Sequence, residues 1–462
     1  MLRQLIAAGM DVARLNFSHG SQEIHAQNIE RLRAAAKAVG KPVAILTDLQ
    51  GPKIRIGKVA EGGVKILRGE KVVLTTQPVI GRRNEEGEPH ATIPVGYQSL
   101  PQDVAPGERI LLDDGLMELC VEETGPAEIV CKVITGGVVQ ERKGLNVPGM
   151  GLSISAITEK DWSDLAFSVE QGIDWVALSF VRSASEVRQL KEYLDEHSDP
   201  ERTIRVIAKI EKPQALDAIN AIIEAADGIM VARGDLGIEV PAEKVPVIQK
   251  RLIRLANAAG KPVIVATQML ESMVHNPRPT RAEASDVANA ILDGADAIML
   301  SGETAAGKYP LEAVRTMVRI AEEIETAALS DPWHPPRHVT HTAGDVTDAV
   351  SHATCQTADN LQAAAIIAST ASGRTARNIA KYRPHTRIIA VTPNPTVQRQ
   401  LMLSWGVNPL LSPRAGTTDE ILAHSIQVAR KAELVREGER VVLTAGVTPF
   451  MPGTTNLMTV EV

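Results

Sequence analysis

"RVIAKIEKPQAL", residues 205–216, decides how the chain is read. Residues 204–210 are mostly apolar and β-branched, the composition of a strand buried on both faces. Lys209 and Glu211 close it two residues apart, so both side chains project to the same side. A buried strand that ends by aiming an ammonium and a carboxylate at one spot points to a site at its C-terminal end.

Six further segments repeat this shape, a short apolar strand with a polar or glycine-bearing tip: 10–20, 42–51, 174–181, 227–237, 262–269 and 296–304. Amphipathic helices follow most of them, and Thr158…Asp161, Ser183…Glu186 and Thr280…Glu283 have capping-box spacing. Alternating strands and helices predict a parallel sheet, and polar residues at strand C-termini predict an α/β fold of the (β/α)8 TIM-barrel type. The chain opens on a helical segment, "LRQLIAAG", and shows seven such strands. The expectation is therefore that a first strand lies upstream of Met1, and a barrel closing with seven strands is the less economical alternative.

The texture changes at 52–152, where short alternating segments separated by Gly and Pro predict an inserted small β-barrel domain, a lid over the barrel mouth. The barrel domain thus occupies 1–51 and 153–328. The Pro-rich stretch "LSDPWHPPRH" (329–338) reads as a linker, and α/β texture returns in a C-terminal domain over 339–462.

At 462 residues the chain exceeds what one core usually serves. Its net charge of −7, with Lys and Arg scattered, and its 4 Trp, 4 Tyr and 4 Phe argue against a nucleic-acid face. Three cysteines (Cys120, Cys131, Cys355) without metal spacing suit a reducing cytoplasm. No apolar stretch reaches membrane-spanning length, so no membrane partner is expected. Gly9, Asp11 and Arg14 interrupt any signal-peptide pattern at the start.

Glu211 and Asp235, on adjacent strand ends, form a carboxylate pair suited to Mg²⁺. The turn through Arg233 and Gly234 offers backbone N–H groups at a helix start, a seat for a carboxylate. Arg14 offers a bidentate clamp for phosphate, and Thr267 a hydroxyl. Singly, each could equally be a salt bridge or a cap. Several such polar groups gathered on four strand ends of one face point to a site.

The segments "ARLNFSHG", "DLQGPKIR", "AKIEKP", "MVARGDLG", "ATQMLESM", "NPRPTRAE" and "LSGETAAGKYP" resemble the signatures of pyruvate kinase, in that family's order. The resemblance runs the whole chain and implies phosphoryl transfer from phosphoenolpyruvate to ADP. It implies that Glu211 and Asp235 hold Mg²⁺, that Lys209 neutralises the phosphoryl group in flight, and that Gly234 and Thr267 seat the substrate carboxylate. Arg14 then grips the phosphoryl group, while Arg55 and Lys143 contact the nucleotide. Such chemistry calls mainly for positioning and positive charge. Thr267, through a water chain, is a candidate for protonating the enolate.

In the K⁺-requiring members of the family, residues matching Asn16, Ser18 and Asp48 lie at a monovalent-cation site, within a pattern Asp-Thr-Lys-Gly-Pro-Glu. Here the stretch reads Asp48-Leu49-Gln50-Gly51-Pro52-Lys53. The Lys53 ammonium, paired with Asp48, is expected to replace K⁺. Ser369, Thr370, Ser372, Arg374 and Thr375 resemble the phosphate loop of the family's effector site, and the resemblance implies a homotetramer. A plain helix start is the alternative for that loop. Two other functions stay open: a metal-dependent aldolase or lyase working through a pyruvate enolate, and a degenerate regulatory homologue. The first has no obvious use for a lid, Lys209 or a third domain. Substrate binding without turnover would mark the second.

Overall fold

The computed structural model describes residues 1–84, 87, 89–149, 153–330, 345–446 and 455–462. The seven expected strands form one parallel sheet in chain order: β1 (Val12–Asn16), β2 (Ala44–Asp48), β3 (Trp175–Leu178), β4 (Arg205–Ile210), β5 (Gly228–Ala232), β6 (Val263–Ala266) and β7 (Ala297–Ile298). Strands such as β2 and β5 are buried at every residue, because alternate side chains meet two different cores. Ala44, Leu46, Trp175, Ala177, Ile207, Met230 and Ile264 pack on one face. Ile45, Val176, Val206, Ala208, Ile229 and Val265 pack on the other, with helix residues such as Ile29, Leu190 and Leu252. All three predicted capping boxes are present, at the starts of helices Glu159–Glu170, Ala184–His197 and Arg281–Asp293.

Between β2 and β3, a seven-stranded sheet runs from Leu145–Asn146 through Arg109–Leu112, Met117–Thr124, Glu128–Thr135, Lys71–Thr75 and Ala91–Pro94 to Arg82–Arg83. A two-stranded ribbon, Val64–Ile66 with Gly137–Val139, shares its core. This region also holds a single helical turn, Leu100–Asp103, which the alternating pattern did not foretell. Beyond the sheet, helix Pro310–Ser330 runs into the expected linker, whose residues 331–338 lie outside the described ones.

The C-terminal sheet has the order β10 (Val407–Leu411), β9 (Ile388–Thr392), β8 (Ala365–Ser369), β11 (Val441–Gly446), β12 (Thr455–Glu461), with only β12 antiparallel. The two edge strands were not legible in the sequence. β10 carries Pro409, and β12 is largely open to solvent, so neither has the apolar run of a central strand.

The C-terminal unit docks on the strand starts of the parallel sheet. Arg399 pairs with Asp174 at 2.8 Å, Gln400 donates to the carbonyls of Asp174 and Thr203, and Leu403 joins the inner core. That leaves the opposite, C-terminal ends of the strands for the polar residues. Among the described residues no helix is long and apolar enough to cross a membrane.

Candidate active site

Lys209 is the hub. Its Nζ lies 3.2 Å from Asp48 Oδ1 and 2.9 Å from Glu211 Oε1, and donates to Ser179 Oγ at 2.7 Å. Burial works to lower its pKa, but attraction from Asp48 and then Glu211 outweighs that and holds it above the usual lysine value. Asp48, itself buried, also accepts Arg14 Nε at 2.7 Å and Nη2 at 2.6 Å on Oδ2. Burial pushes its carboxyl up, yet Lys209 and Arg14 together hold it below the ordinary range. Arg14 sits mid-strand in β1, not at its end as expected, and its side chain spans the sheet to Asp48.

Glu211 is fully buried. Its Oε2 accepts the Phe180 N–H at 2.7 Å, while Oε1 faces Lys209 at an angle that makes no hydrogen bond. Burial raises its pKa; Lys209 opposes this, and the charge of Asp235 raises it further. Two neighbouring carboxylates, one with a buried oxygen that accepts no hydrogen bond, fit a divalent cation with oxygen ligands. Among the described residues no third His, Cys, Asp or Glu joins them, so the remaining ligands would be substrate and water.

Backbone strain collects here. Phe180, Thr267 and Gln268 have φ of 55°, 70° and 54°, and for a β-branched threonine this is an outlier. Gly51, with φ of 66°, is required by crowding too: a Cβ there would lie 2.8 Å from the Phe180 ring.

The Arg233–Gly234 turn opens helix Arg233–Glu239, but its N–H is already engaged. Gly234 N–H donates to Thr267 Oγ1 at 2.8 Å, and that hydroxyl donates to the Ala266 carbonyl at 2.6 Å. A substrate carboxylate on Gly234 would displace the threonine hydroxyl. Arg233 is held away, on Asp286 at 2.7 Å and the Thr267 carbonyl at 2.6 Å.

One expected pairing is corrected. Lys53 Nζ lies 3.6 Å from Asp235 Oδ1 and makes no ion pair with Asp48. Asp48 is buried and already satisfied by Arg14 and Lys209, whereas Asp235 is partly exposed. Asn16 and Asp48 are register partners across β1 and β2, and Ser18 N–H donates to Asn16 Oδ1 at 3.1 Å, so those three residues cluster. Arg55 and Lys143 are also brought side by side, through the Arg55–Gly144 bridge and the Ile56 N–H to Lys143 carbonyl bond of 2.9 Å. No hydrogen bond or ion pair joins either to Lys209, Glu211 or Asp235; Lys143 pairs with Asp113 at 2.9 Å.

In the 369–375 loop the hydroxyls do not all face outward. Ser369 Oγ bonds Ser425 Oγ at 2.8 Å and Thr375 Oγ1 bonds Thr455 Oγ1 at 2.7 Å, both buried. Thr370 Oγ1 accepts the Gly373 N–H at 2.9 Å, and Arg374 is half exposed, 3.8 Å from Asp345. The sequence reading of a hydroxyl-rich anion loop is corrected to that extent: packing against helix Thr418–Lys431 and β12 takes two of its hydroxyls.

Sequence reasoning missed Ser179, the Phe180 N–H and the Lys212–Glu239 pair. Lys212 Nζ lies 2.6 Å from Glu239 Oε1, and Glu239 also accepts from Asn146 Nδ2 and Gly149 N–H at 3.4 Å, on the segment returning from the inserted sheet. Glu239 is one helical turn beyond Asp235, and Lys212 directly follows Glu211. That spacing was the available signal.

The comparisons with known proteins agree. The family described as "Pyruvate kinase, barrel domain" matches residues 1–314, and that described as "Pyruvate kinase, alpha/beta domain" matches residues 348–461. The chain is 50% identical over 463 residues to "Pyruvate kinase" of Geobacillus stearothermophilus, covering 100% of this chain and 77% of that protein. It is 48% identical over 467 residues to "Pyruvate kinase 2" of a Synechocystis strain, covering 100% and 76%. With "Pyruvate kinase" of Clostridium acetobutylicum it shares 44% over 458 residues, covering 99% and 95%.

Proposed function

The chain belongs to the pyruvate kinase family, and on that premise we propose how its own residues carry the reaction. The reaction moves the phosphoryl group of phosphoenolpyruvate to ADP, giving pyruvate and ATP, and it requires a divalent metal ion. In our reading that ion is Mg²⁺ on Glu211 and Asp235. When bound, it supplies Lewis-acid stabilisation of enolate and phosphoryl oxygens.

Lys209 places its charge on the phosphoryl group as the bond to the enolate oxygen breaks and the bond to the ADP oxygen forms. Asp48, Glu211 and Ser179 hold that ammonium in place, so little reorganisation is left for the transition state. Arg14 grips the substrate phosphoryl group from the far side of Asp48. The Gly234 N–H takes the substrate carboxylate once Thr267 turns its hydroxyl away, and Thr267 then relays a proton through water to the enolate carbon. Arg55 and Lys143 take the nucleotide phosphates where the inserted unit, 52–152, meets the barrel halves 1–51 and 153–328. That unit serves as the lid. K⁺ is dispensable in this reading because the chain carries Lys53 where the K⁺-requiring pattern carries Glu, although Lys53 lies by Asp235 and not by Asp48. The C-terminal unit, from 339, is regulatory: a phosphorylated effector binds around Thr370, Ser372 and Arg374, and the working assembly is a cytoplasmic homotetramer.

The observation that carries the assignment of residues is the Lys209 ammonium braced between buried Asp48 and Glu211. The test is a coupled assay of pyruvate and ATP from phosphoenolpyruvate, ADP and Mg²⁺, for the wild type and Lys209→Met. Undiminished turnover in the variant would overturn the assignment.

A further inference from the structure

Glu211 and Asp235 stand on separate elements. Glu211 follows β4, and Asp235 lies on helix Arg233–Glu239 beyond β5. The ladder between those two strands ends at Ile210↔Val231. Past that point an ion pair joins the two turns: Lys212, next to Glu211, meets Glu239, one helical turn beyond Asp235, at 2.6 Å. The Glu239 side chain is 1% exposed and that of Lys212 12%, so water and salt screen the pair little. The Lys212 ammonium also lies 5.7 Å from the centre of the Phe180 ring, and the Phe180 N–H holds Glu211 Oε2. The pair therefore reaches both sides of the carboxylate seat.

Helix stability does not account for these charges. Glu239 is the last residue of its helix, where unpaired carbonyls repel a carboxylate. Lys212 is the N-cap of helix Pro213–Asp217, where unpaired N–H groups repel an ammonium. Nor is burying an ion pair a general source of stability, since desolvation offsets the attraction. What the pair fixes is geometry. The other partners of Glu239, Asn146 Nδ2 and the Gly149 N–H, stand at 3.4 Å, longer than typical hydrogen bonds, so Lys212 sets its position.

We propose that Lys212 and Glu239 are positioning residues that fix the spacing of the Glu211 and Asp235 carboxylates, and so make their seat discriminate Mg²⁺ from the larger Ca²⁺. This rests on the seating of Mg²⁺ on those two carboxylates. Mg²⁺ demands near-octahedral geometry with oxygens at about 2.0–2.1 Å, whereas Ca²⁺ accepts about 2.3–2.6 Å and irregular arrangements. A braced seat therefore favours Mg²⁺, and a seat whose two turns drift apart loses Mg²⁺ first.

The test uses Mn²⁺ alone as a paramagnetic probe of the whole protein. Its binding is read by electron paramagnetic resonance, and its displacement by Mg²⁺ and by Ca²⁺ gives the ratio of their affinities. The wild type is compared with Lys212→Met, Glu239→Gln and the double variant. The two single variants change the local charge in opposite directions. A purely electrostatic effect would thus raise both affinities in one and lower both in the other, leaving the ratio in place. Loss of the brace instead moves the ratio the same way in all three, by roughly 10-fold towards Ca²⁺, the low end of what outer-shell partners contribute. The double variant decides, because it keeps the wild-type net charge and strands neither partner. Lys212→Arg, which keeps charge and reach, should keep the ratio. An unchanged ratio in the double variant, opposite shifts in the two single ones, or a loss in Lys212→Arg as large as in Lys212→Met would overturn the proposal. Glu211→Gln tests the seat separately: undiminished Mn²⁺ binding there would overturn the seating of the metal itself, whatever the ratio does in the other variants.

Discussion

Replacing Lys209 with methionine separates stability from catalysis at one atom. The variant keeps the length and apolar stem of the side chain and deletes the ammonium that faces Asp48, Glu211 and Ser179. Asp48 is not stranded, because Arg14 holds it by two nitrogens and Ser179 Oγ lies at 3.3 Å. Glu211 keeps only the Phe180 N–H at 2.7 Å, with one oxygen buried and unpartnered. Breaking a buried pair by removing one member costs about 3–5 kcal/mol, and since only one of the two carboxylates is stranded, the lower end, about 3 kcal/mol, is expected at pH 8. The loss should depend on pH in a definite direction. Burial already raises the folded pKa of Glu211, and losing Lys209 raises it more. The folded variant therefore binds a proton that the unfolded chain does not. Its deficit is full above the raised pKa and vanishes as pH falls below the ordinary carboxylate value of about 4.3. Mg²⁺ should also restore part of the loss, by replacing the missing positive charge at Glu211. Turnover should fall by roughly 10²-fold or more even at saturating Mg²⁺. The assays are urea denaturation between pH 5 and 8, with and without Mg²⁺, and the coupled rate. A variant within about 0.5 kcal/mol of the wild type at pH 8 would refute the reasoning, since surface substitutions do no more than that.

Glu211→Gln should preserve the Phe180 bond and leave Lys209 on Asp48 and Ser179, so kcat drops by roughly 10²-fold or more while the melting temperature hardly moves; near-wild-type turnover would exclude Glu211 as a ligand. Glu239→Gln strands the largely buried Lys212 at a cost of about 3 kcal/mol and should speed hydrogen exchange in residues 145–149; unchanged exchange there would mean that Glu239 does not tether the segment returning from the inserted sheet. Full activity is expected in K⁺-free tetramethylammonium buffer, with partial K⁺ dependence after Lys53→Glu, and a ten-fold activation of the wild type by K⁺, about 1.4 kcal/mol, would defeat the substitution argument. A phosphorylated metabolite should lower the apparent KM for phosphoenolpyruvate in the wild type and not in Arg374→Ala. A screen without any such shift would leave the 369–375 loop a plain helix start.

Local pattern determined the architecture. A run such as Val206–Ile210 can be satisfied only by burial on both faces, and seven of them alternating with amphipathic helices leave a parallel sheet as the economical arrangement. The same locality made Lys209, Glu211 and Asp235 legible as a group, because residues at strand tips of one sheet share one end. It also marked the inserted β region and the three helix caps, each a matter of neighbours within a few residues. What tertiary structure alone decided was which oxygen faces which nitrogen. Lys53 was expected on Asp48 and lies by Asp235, because β1 and β4 deliver Arg14 and Lys209 to Asp48 first. Ser369 and Thr375 look alike in sequence to Ser372, yet their hydroxyls are spent on Ser425 and Thr455, residues brought up by another helix and an edge strand. The Lys212–Glu239 pair with Asn146, and Arg377 beside Arg205, each join segments far apart in the chain. Periodicity reports burial, a property of each residue against its own backbone. Pairing depends on sheet register and on how separate units dock, and a short-range pattern carries neither.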